Sequence, residues 1–288
     1  MIIRVGLPKT TGFFPGALLD LEQPGLVSAN GMWDQRAKKF RLPGFSICDL
    51  DMALDSAGFV VMKKWGGHYP WSIPQYVELA GMHGWTWWSS MDFCCEPDVA
   101  KDDDEVRRRV QDTALYLTAI NFQVRIWREA GAHWLQYPIP ILQGWKPRHY
   151  LESLELTQNS MGGLPPLVGL GSVCGRQLHG PDGFEAILSA LDSAMPEGVK
   201  LHLFGVKGAI LQRFKDHPRI GSMDSIAWDY RARRYVNELR AEQADRLGWR
   251  PTKDDPEWIS STNALRAQAM KRWIERQTRN TDPLKESS

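Results

Sequence analysis

Short apolar runs that stop in polar or glycine residues recur along the chain. They occupy residues 2–7, 26–31, 51–56, 87–93, 139–143, 167–173, 201–206 and 222–228, and each predicts a β-strand. Helical spacing fills most gaps after the third, at residues 74–83, 102–130, 148–158, 184–195 and 209–214. The clearest helix is 102–130. Asp102, Asp103, Asp104 and Glu105 suit its positive N-terminal end, Val106, Val110, Leu117, Ile120, Val124 and Trp127 recur on one face, and Gly131 closes it. Strands alternating with helices are the pattern of parallel βα units. Eight of them within about 230 residues predict an α/β fold, a (β/α)8 TIM-like barrel rather than an open sheet. After Trp228 the character changes: a charged helix, a loop at 248–256, a final helix at 257–277 and a tail beyond Arg279 that reads as disordered. The expected division is a barrel over residues 1–229 and a helical extension over 230–288 that completes it.

Composition narrows the function classes. With 288 residues, 43% hydrophobic and 24% charged, the chain can bury a full core, and its net charge of +1 excludes a global basic field. A nucleic-acid surface must therefore be local. Arg231, Arg233, Arg234 and Arg240, with Tyr230 and Tyr235, fit either a nucleic-acid backbone contact or plain surface charge. Arg107, Arg108 and Arg109 follow an acidic run and read as a solvated helix face. The four cysteines (Cys48, Cys94, Cys95 and Cys174) form no CxxC pair, so no metal site is expected, and Cys94 and Cys95 read as buried thiols. Among the thirteen tryptophans, Trp65, Trp71 and Trp145 suit either the barrel mouth or the core. No leader and no run of 18 apolar residues is seen, which sets the expectation of a soluble, cytoplasmic protein without a membrane partner.

The chemistry gathers at strand ends. Met52-Ala53-Leu54-Asp55-Ser56-Ala57-Gly58-Phe59 runs from a strand straight into a carboxylate, a hydroxyl and a glycine. Taken alone, it also suits a helix cap, a role left to Ser56. In a barrel the C-terminal strand ends converge and bring Asp55 together with Asp92, Gln143, the backbone of residues 169–171, Phe204 and Asp224. Carboxylates, an amide, open backbone and an aromatic ring suit a flat heterocycle with donors and acceptors along its edge. Paired carboxylates also suit displacement at an anomeric carbon.

Six features resemble, in order, those of the tRNA-guanine transglycosylases. LDSAGFVVM (residues 54–62) is similar to that family's TDSGGFQVM, and Asp92 falls where its base-binding aspartate ends the next strand. LQGW (142–145) resembles VQGG, GLGSV (169–173) resembles GGLSVG, and FGV (204–206) resembles MGVG. MDSIAW (223–228) is similar to FDCV, the strand that carries the nucleophile. The resemblance implies that Asp224 attacks C1′ of a guanosine nucleotide, giving a covalent glycosyl-enzyme, and that Asp55 is the general acid/base. It implies base binding by Ser56, Asp92, Gln143 and the Gly169, Leu170 and Gly171 backbone, with Phe204 on the ring.

The departures redirect the substrate. Val60 stands where the family has Gln, and Ala57 where it has the second Gly of DSGG. No cysteine follows Cys174, so the CxCxxC…His zinc subdomain of the tRNA enzymes is absent. The chain is most similar to the DNA-modifying 7-deazaguanine transglycosylases (DpdA-like) of phages and bacteria. That resemblance implies exchange of guanine in DNA for preQ0 or a derivative, with no cofactor required for the chemistry. It implies DNA and a 7-deazaguanine base as partners, a homodimer or modification-pathway partner, and the host cytoplasm if the gene is phage-borne. A tRNA substrate and a non-catalytic nucleic-acid-binding paralogue are the alternatives.

Overall fold

Alternating inward and outward side chains on eight parallel strands build the molecule. The computed structural model describes residues 1–8, 10, 13–41, 50–206, 208–247 and 256–281. The chain begins β1 (Ile2–Leu7), α1 (Phe13–Asp20), β2 (Gly25–Ser28), a 3-10 turn (Ala29–Gly31), and the short antiparallel pair β3 (Trp33–Asp34) and β4 (Lys39–Phe40). It continues with β5 (Met52–Asp55), α2 (Gly58–Trp65), α3 (Ile73–Gly81), β6 (Trp87–Trp88), α4 (Asp103–Glu129), β7 (Ile141–Leu142) and α5 (Pro147–Met161). The last part is β8 (Leu167–Leu170), α6 (Phe184–Ala194), β9 (Lys200–Leu203), α7 (Gly208–Phe214), β10 (Ile220–Ser225), α8 (Ala227–Leu247) and α9 (Pro256–Thr281).

The sheet runs β6-β5-β2-β1-β10-β9-β8-β7, and every pairing in it is parallel. Its two outer strands meet at one parallel bridge, Ser89 with Ile139. There the Ile139 N–H donates to Trp88 O at 2.8 Å and the Ser90 N–H to Ile139 O at 2.9 Å. The ring thus closes in sequence order, the α/β barrel that the alternation predicts.

Inward positions carry an apolar plug of Leu26, Ala53, Trp87, Ile139 and Ile141. Outward positions such as Val5, Val27, Leu54, Leu142, Val168, Leu170, Leu203 and Met223 are buried beneath the helices. Each such aliphatic side chain contributes roughly 1.5–3 kcal/mol. One step beyond the plug, towards the C-terminal strand ends, the inward residues turn polar: Ser28, Asp55, Gln143 and Asp224. The plug is the floor of the site. Below it, buried Arg4 donates to Gly25 O, to Asp51 O and, at 2.8 Å, to Asp51 Oδ1.

On α4, Asp102 caps the N-terminus by accepting from the Asp104 and Glu105 N–H groups. Arg107 and Arg108 lie on the outer face as expected, and Arg108 pairs with Glu105 and Asp112. Arg109 does not. The helical turn carries it inward, where it donates to Cys94 O at 2.8 Å and to Glu105 at 2.8 Å. At the far end α9 lays Met270, Trp273 and Ile274 into the same core as Phe14, Leu18 and Trp228. Buried Asp229 accepts from Arg266 at 2.5 Å, tying α8 to α9.

The expected fourth strand is shorter than residues 87–93. Beyond Ser89 the main chain leaves the ladder because side chains take its hydrogen bonds. The Asp92 N–H donates to Tyr69 Oη, that of Phe93 to Thr113 Oγ1, and that of Cys95 to Ser172 Oγ. Helices α1 and α2 and the β3–β4 pair add elements that the apolar pattern does not suggest. Helix α9 runs to Thr281, past the point where a disordered tail was expected to begin. Cys48, most of the expected 248–256 loop, the Arg240 side chain and residues 282–288 lie outside the described residues. No described helix is long and apolar enough to cross a membrane.

Candidate active site

Asp55 ends β5, beside the end of β2, which pairs with it. Its Oδ2 accepts from Ser28 Oγ at 2.7 Å and from the Ala57 N–H at 3.1 Å. The second bond is an Asx-turn, so the turn-forming side chain is Asp55 and not Ser56. Ala57 adopts φ 75°, in the left-handed region, and α2 starts immediately afterwards. Burial and the nearby Asp92 and Asp224 carboxylates push the Asp55 carboxyl up to about 7, against the two hydrogen bonds it accepts.

Ser56 points the other way. Its hydroxyl donates to Asp92 Oδ1 at 2.5 Å, while Gln143 Nε2 donates to Asp92 Oδ2 at 2.5 Å. Tyr69 Oη lies 3.1 Å from Ser56 Oγ, donates to Asp92 O and accepts from Asp92 N–H. Gln143 Oε1 accepts in turn from Ser172 Oγ at 2.6 Å. Two close approaches explain the local glycines. A Cβ on Gly58 would sit 2.6 Å from Asp92 Oδ2, and one on Gly171 would run into the Gln143 amide. Burial raises the Asp92 carboxyl, opposed by the Ser56 and Gln143 hydrogen bonds.

Asp224 comes from the C-terminal part of β10. Its Oδ1 accepts the Gly205 N–H at 2.9 Å and faces His202 Nε2 at 3.4 Å. That approach is an electrostatic contact rather than a well-formed hydrogen bond, and Nε2 has no other partner. The ring is wedged between Trp87 and Phe204, each at 4.6 Å between centroids, with Nδ1 2.8 Å from Ser222 Oγ. Burial lowers the tendency of His202 to take a proton, so the ring is held neutral.

These groups open on one cavity of about 480 Å³ at the C-terminal ends of the strands. Its lining includes Asp55, Asp92, Gln143, Gly171, Phe204 and Asp224, with the half-exposed Phe59 ring, Val60 and Arg233. The volume suits a single planar base and part of its sugar. Among the described residues no three or more His, Cys, Asp or Glu side chains are grouped to hold a metal. Cys94 and Cys95 are buried, and burial pushes both thiols up, that of Cys95 to about 12.

The family model described as DpdA, DeoxyPurine in DNA protein A, matches residues 32–243, well over half of the chain. The chain belongs to the DpdA family. No curated protein matches it. Membership makes it a DNA-modification protein of transglycosylase-like, transferase type.

The DpdA match spans every group that lines the cavity from β5 to β10. Of the residues singled out in the sequence, Asp55, Asp92, Gln143, Gly171, Phe204 and Asp224 share the cavity. Ser56 stands behind it, fully buried against Asp92. Gly169 lies against Ile141 and the Phe204 ring, below the cavity. Leu170 faces the helices and is fully buried in the outer core, because strand alternation turns it away from the barrel interior. Arg233 reaches the cavity lining while pairing with Asp229 at 2.9 Å. Arg234 is exposed and pairs with Glu238, and Arg231 is exposed away from the cavity. Trp71 is core, Trp65 packs on it, and Trp145 stacks under Arg176 at 3.7 Å. Sequence reasoning missed Ser28, Phe59, Tyr69, Glu96 and His202. Ser28 and His202 sit at inward strand positions next to the two named aspartates, a signal that strand alternation makes visible.

Proposed function

We propose that this DpdA-family protein exchanges guanine in DNA for a 7-deazaguanine, preQ0 or a derivative, by double displacement through a covalent glycosyl-aspartate. The observation that carries this reading is the meeting of Asp55, Asp92 and Asp224 on one base-sized cavity, with Gln143 bridged to Asp92.

The target nucleotide leaves the helix stack to enter the cavity. Asp224 attacks C1′, and the C1′–N9 electron pair leaves with guanine as the Asp55 proton passes to it. A carboxyl held near 7 is protonated often enough at neutral pH for this task. The 7-deazaguanine then enters and loses its N9 proton to Asp55. Its nitrogen attacks C1′ and frees Asp224, so two inversions give net retention. Asp92 accepts from the N1–H and 2-amino donors of either base, and Gln143 donates to O6. Phe59 and Phe204 supply aromatic walls. Arg233 contacts the DNA backbone near the flipped nucleotide. No cofactor is needed in these steps.

The test is incubation with DNA or tRNA and a labelled 7-deazaguanine, followed by nucleoside mass spectrometry. Label in DNA that is lost in Asp224→Asn supports the proposal. Label in tRNA alone, or in neither, overturns it.

A further inference from the structure

Four carboxylates line the cavity, Asp55, Asp92, Asp224 and Glu96, and the exchange chemistry uses three. Glu96 is 7% exposed, and among the described residues its carboxylate has no hydrogen-bond or ion-pair partner. The cations that act on it are engaged elsewhere. Arg176 donates to the Gly144, Trp145, Ser172 and Asp182 carbonyls and to Tyr150 Oη, and Lys63 pairs with Asp98 at 2.6 Å. Burial raises the Glu96 carboxyl from its ordinary range. A buried carboxylate without a donor is costly, and one that opens on a ligand cavity indicates that the donor arrives with the ligand.

The chemistry of the base says which part of the ligand that is. Guanine-like bases present donors at N1 and the 2-amino group and an acceptor at O6, so the carboxylate of Asp92 suits the former and the amide of Gln143 the latter. Beyond O6 on the same flank lies C7. Beyond Gln143 on the cavity wall come Ser172 and Cys174, and a Cβ on Gly175 would lie 3.8 Å from Glu96 Oε2.

We infer that Glu96 forms the subsite for the group at C7 of the incoming base. It selects a substituent that donates hydrogen bonds, a primary amine or amidine, over a nitrile, which only accepts. The inference rests on the base-exchange reading and, among the bases named there, sets preQ0, whose C7 group is a nitrile, below its amine- or amidine-bearing derivatives.

Calorimetric titration of the full chain near neutral pH, with unsubstituted, 7-cyano- and 7-aminomethyl-7-deazaguanine, tests it. The aminomethyl base is expected to bind at least about tenfold more tightly than the nitrile, and Glu96→Gln to bring the ratio to within about twofold of unity. A wild-type preference for the nitrile, equal binding of the two, or an unchanged ratio in Glu96→Gln overturns the assignment. The wild-type comparison stands even if the variant fails to fold. If no base binds, the unsubstituted one included, the base pocket itself is wrong. If the unsubstituted base binds and the ratio is flat, Glu96 alone is misassigned.

Discussion

His202 Nε2 lies 3.4 Å from Asp224 Oδ1, the oxygen that also accepts the Gly205 N–H at 2.9 Å. The aspartate on β10 is approached by two fixed groups of the neighbouring strand, one on β9 and one in the turn that follows it. Replacing the imidazole by a ring of similar shape removes the polar contact and keeps the wedge between Trp87 and Phe204. His202→Phe is expected to slow formation of the covalent adduct by about tenfold, since a polar contact to a charged group contributes roughly 1.5–3 kcal/mol and this one is long. Affinity for the free base should change little. Single-turnover trapping on labelled DNA, with base titration in parallel, checks both.

Asp224→Asn should abolish trapping, with a loss of at least ~10³-fold in exchange, as expected when a nucleophile is removed. Binding of DNA and of the free base should persist. Gel-shift and calorimetry on the variant provide the comparison.

The Asp55 carboxyl is raised to about 7 in the folded protein by burial and by Asp92 and Asp224, against about 4 in an unfolded chain. The folded state therefore holds this proton more tightly than the unfolded state. Its contribution to stability is complete below about pH 4 and is lost as the pH climbs through about 7. In thermal melts over that window the wild type should lose melting temperature with rising pH more steeply than Asp55→Asn, whose side chain does not titrate, so the difference between the two shifts in favour of the variant. Adduct formation, which needs the protonated acid, should also fall above about pH 7 in the wild type. A flat rate profile across that pH would remove Asp55 from the role of acid.

Gly58→Ala and Gly171→Ala press a methyl against the Asp92 carboxylate and the Gln143 amide respectively. Both should weaken free-base binding by about tenfold or more while the barrel still melts cooperatively, because the displaced groups are side-chain ends and not strand backbone. Circular dichroism melts alongside calorimetry separate the two effects.

Ala57 tests how much strain the turn after β5 holds. Its left-handed φ of 75° costs about 1–2 kcal/mol for a residue with a Cβ, yet its methyl is buried, which returns about 0.8 kcal/mol. Ala57→Gly should leave the melting temperature nearly unchanged or slightly raised. Ala57→Val, β-branched in the same region, should lower stability by roughly 2 kcal/mol or more.

Much of this was legible because barrel strands are buried on both faces. That makes residues such as 52–54 a continuous apolar run whose polar end, Asp55, stands out, and Asp224 was readable as the carboxylate on the eighth run. Asp92 was readable by position but not by conformation, because it sits on main chain held by Tyr69, Thr113 and Ser172, across separations of 20 to 77 positions. Such long-range supports leave no periodic trace. Arg109 looked identical to Arg107 and Arg108 in a run of three, and only the rotation of the helix separates it from them. Leu170 was counted with its glycine neighbours, although alternation on β8 sends its side chain outward.

The hoop of strands is fastened at a single point between its two shortest members, β6 and β7, and the side chains of Asp92 and Gln143 join just beyond that fastening. A molecule gripped by both residues therefore acts as a clasp across the joint. Occupancy and mechanical closure become one event, and an empty barrel should breathe there first. Amide hydrogen exchange at Ser90 and Ile139, the two N–H groups that cross the joint, should slow when a base is bound, while the amides of β1 and β10 on the opposite side stay as they were.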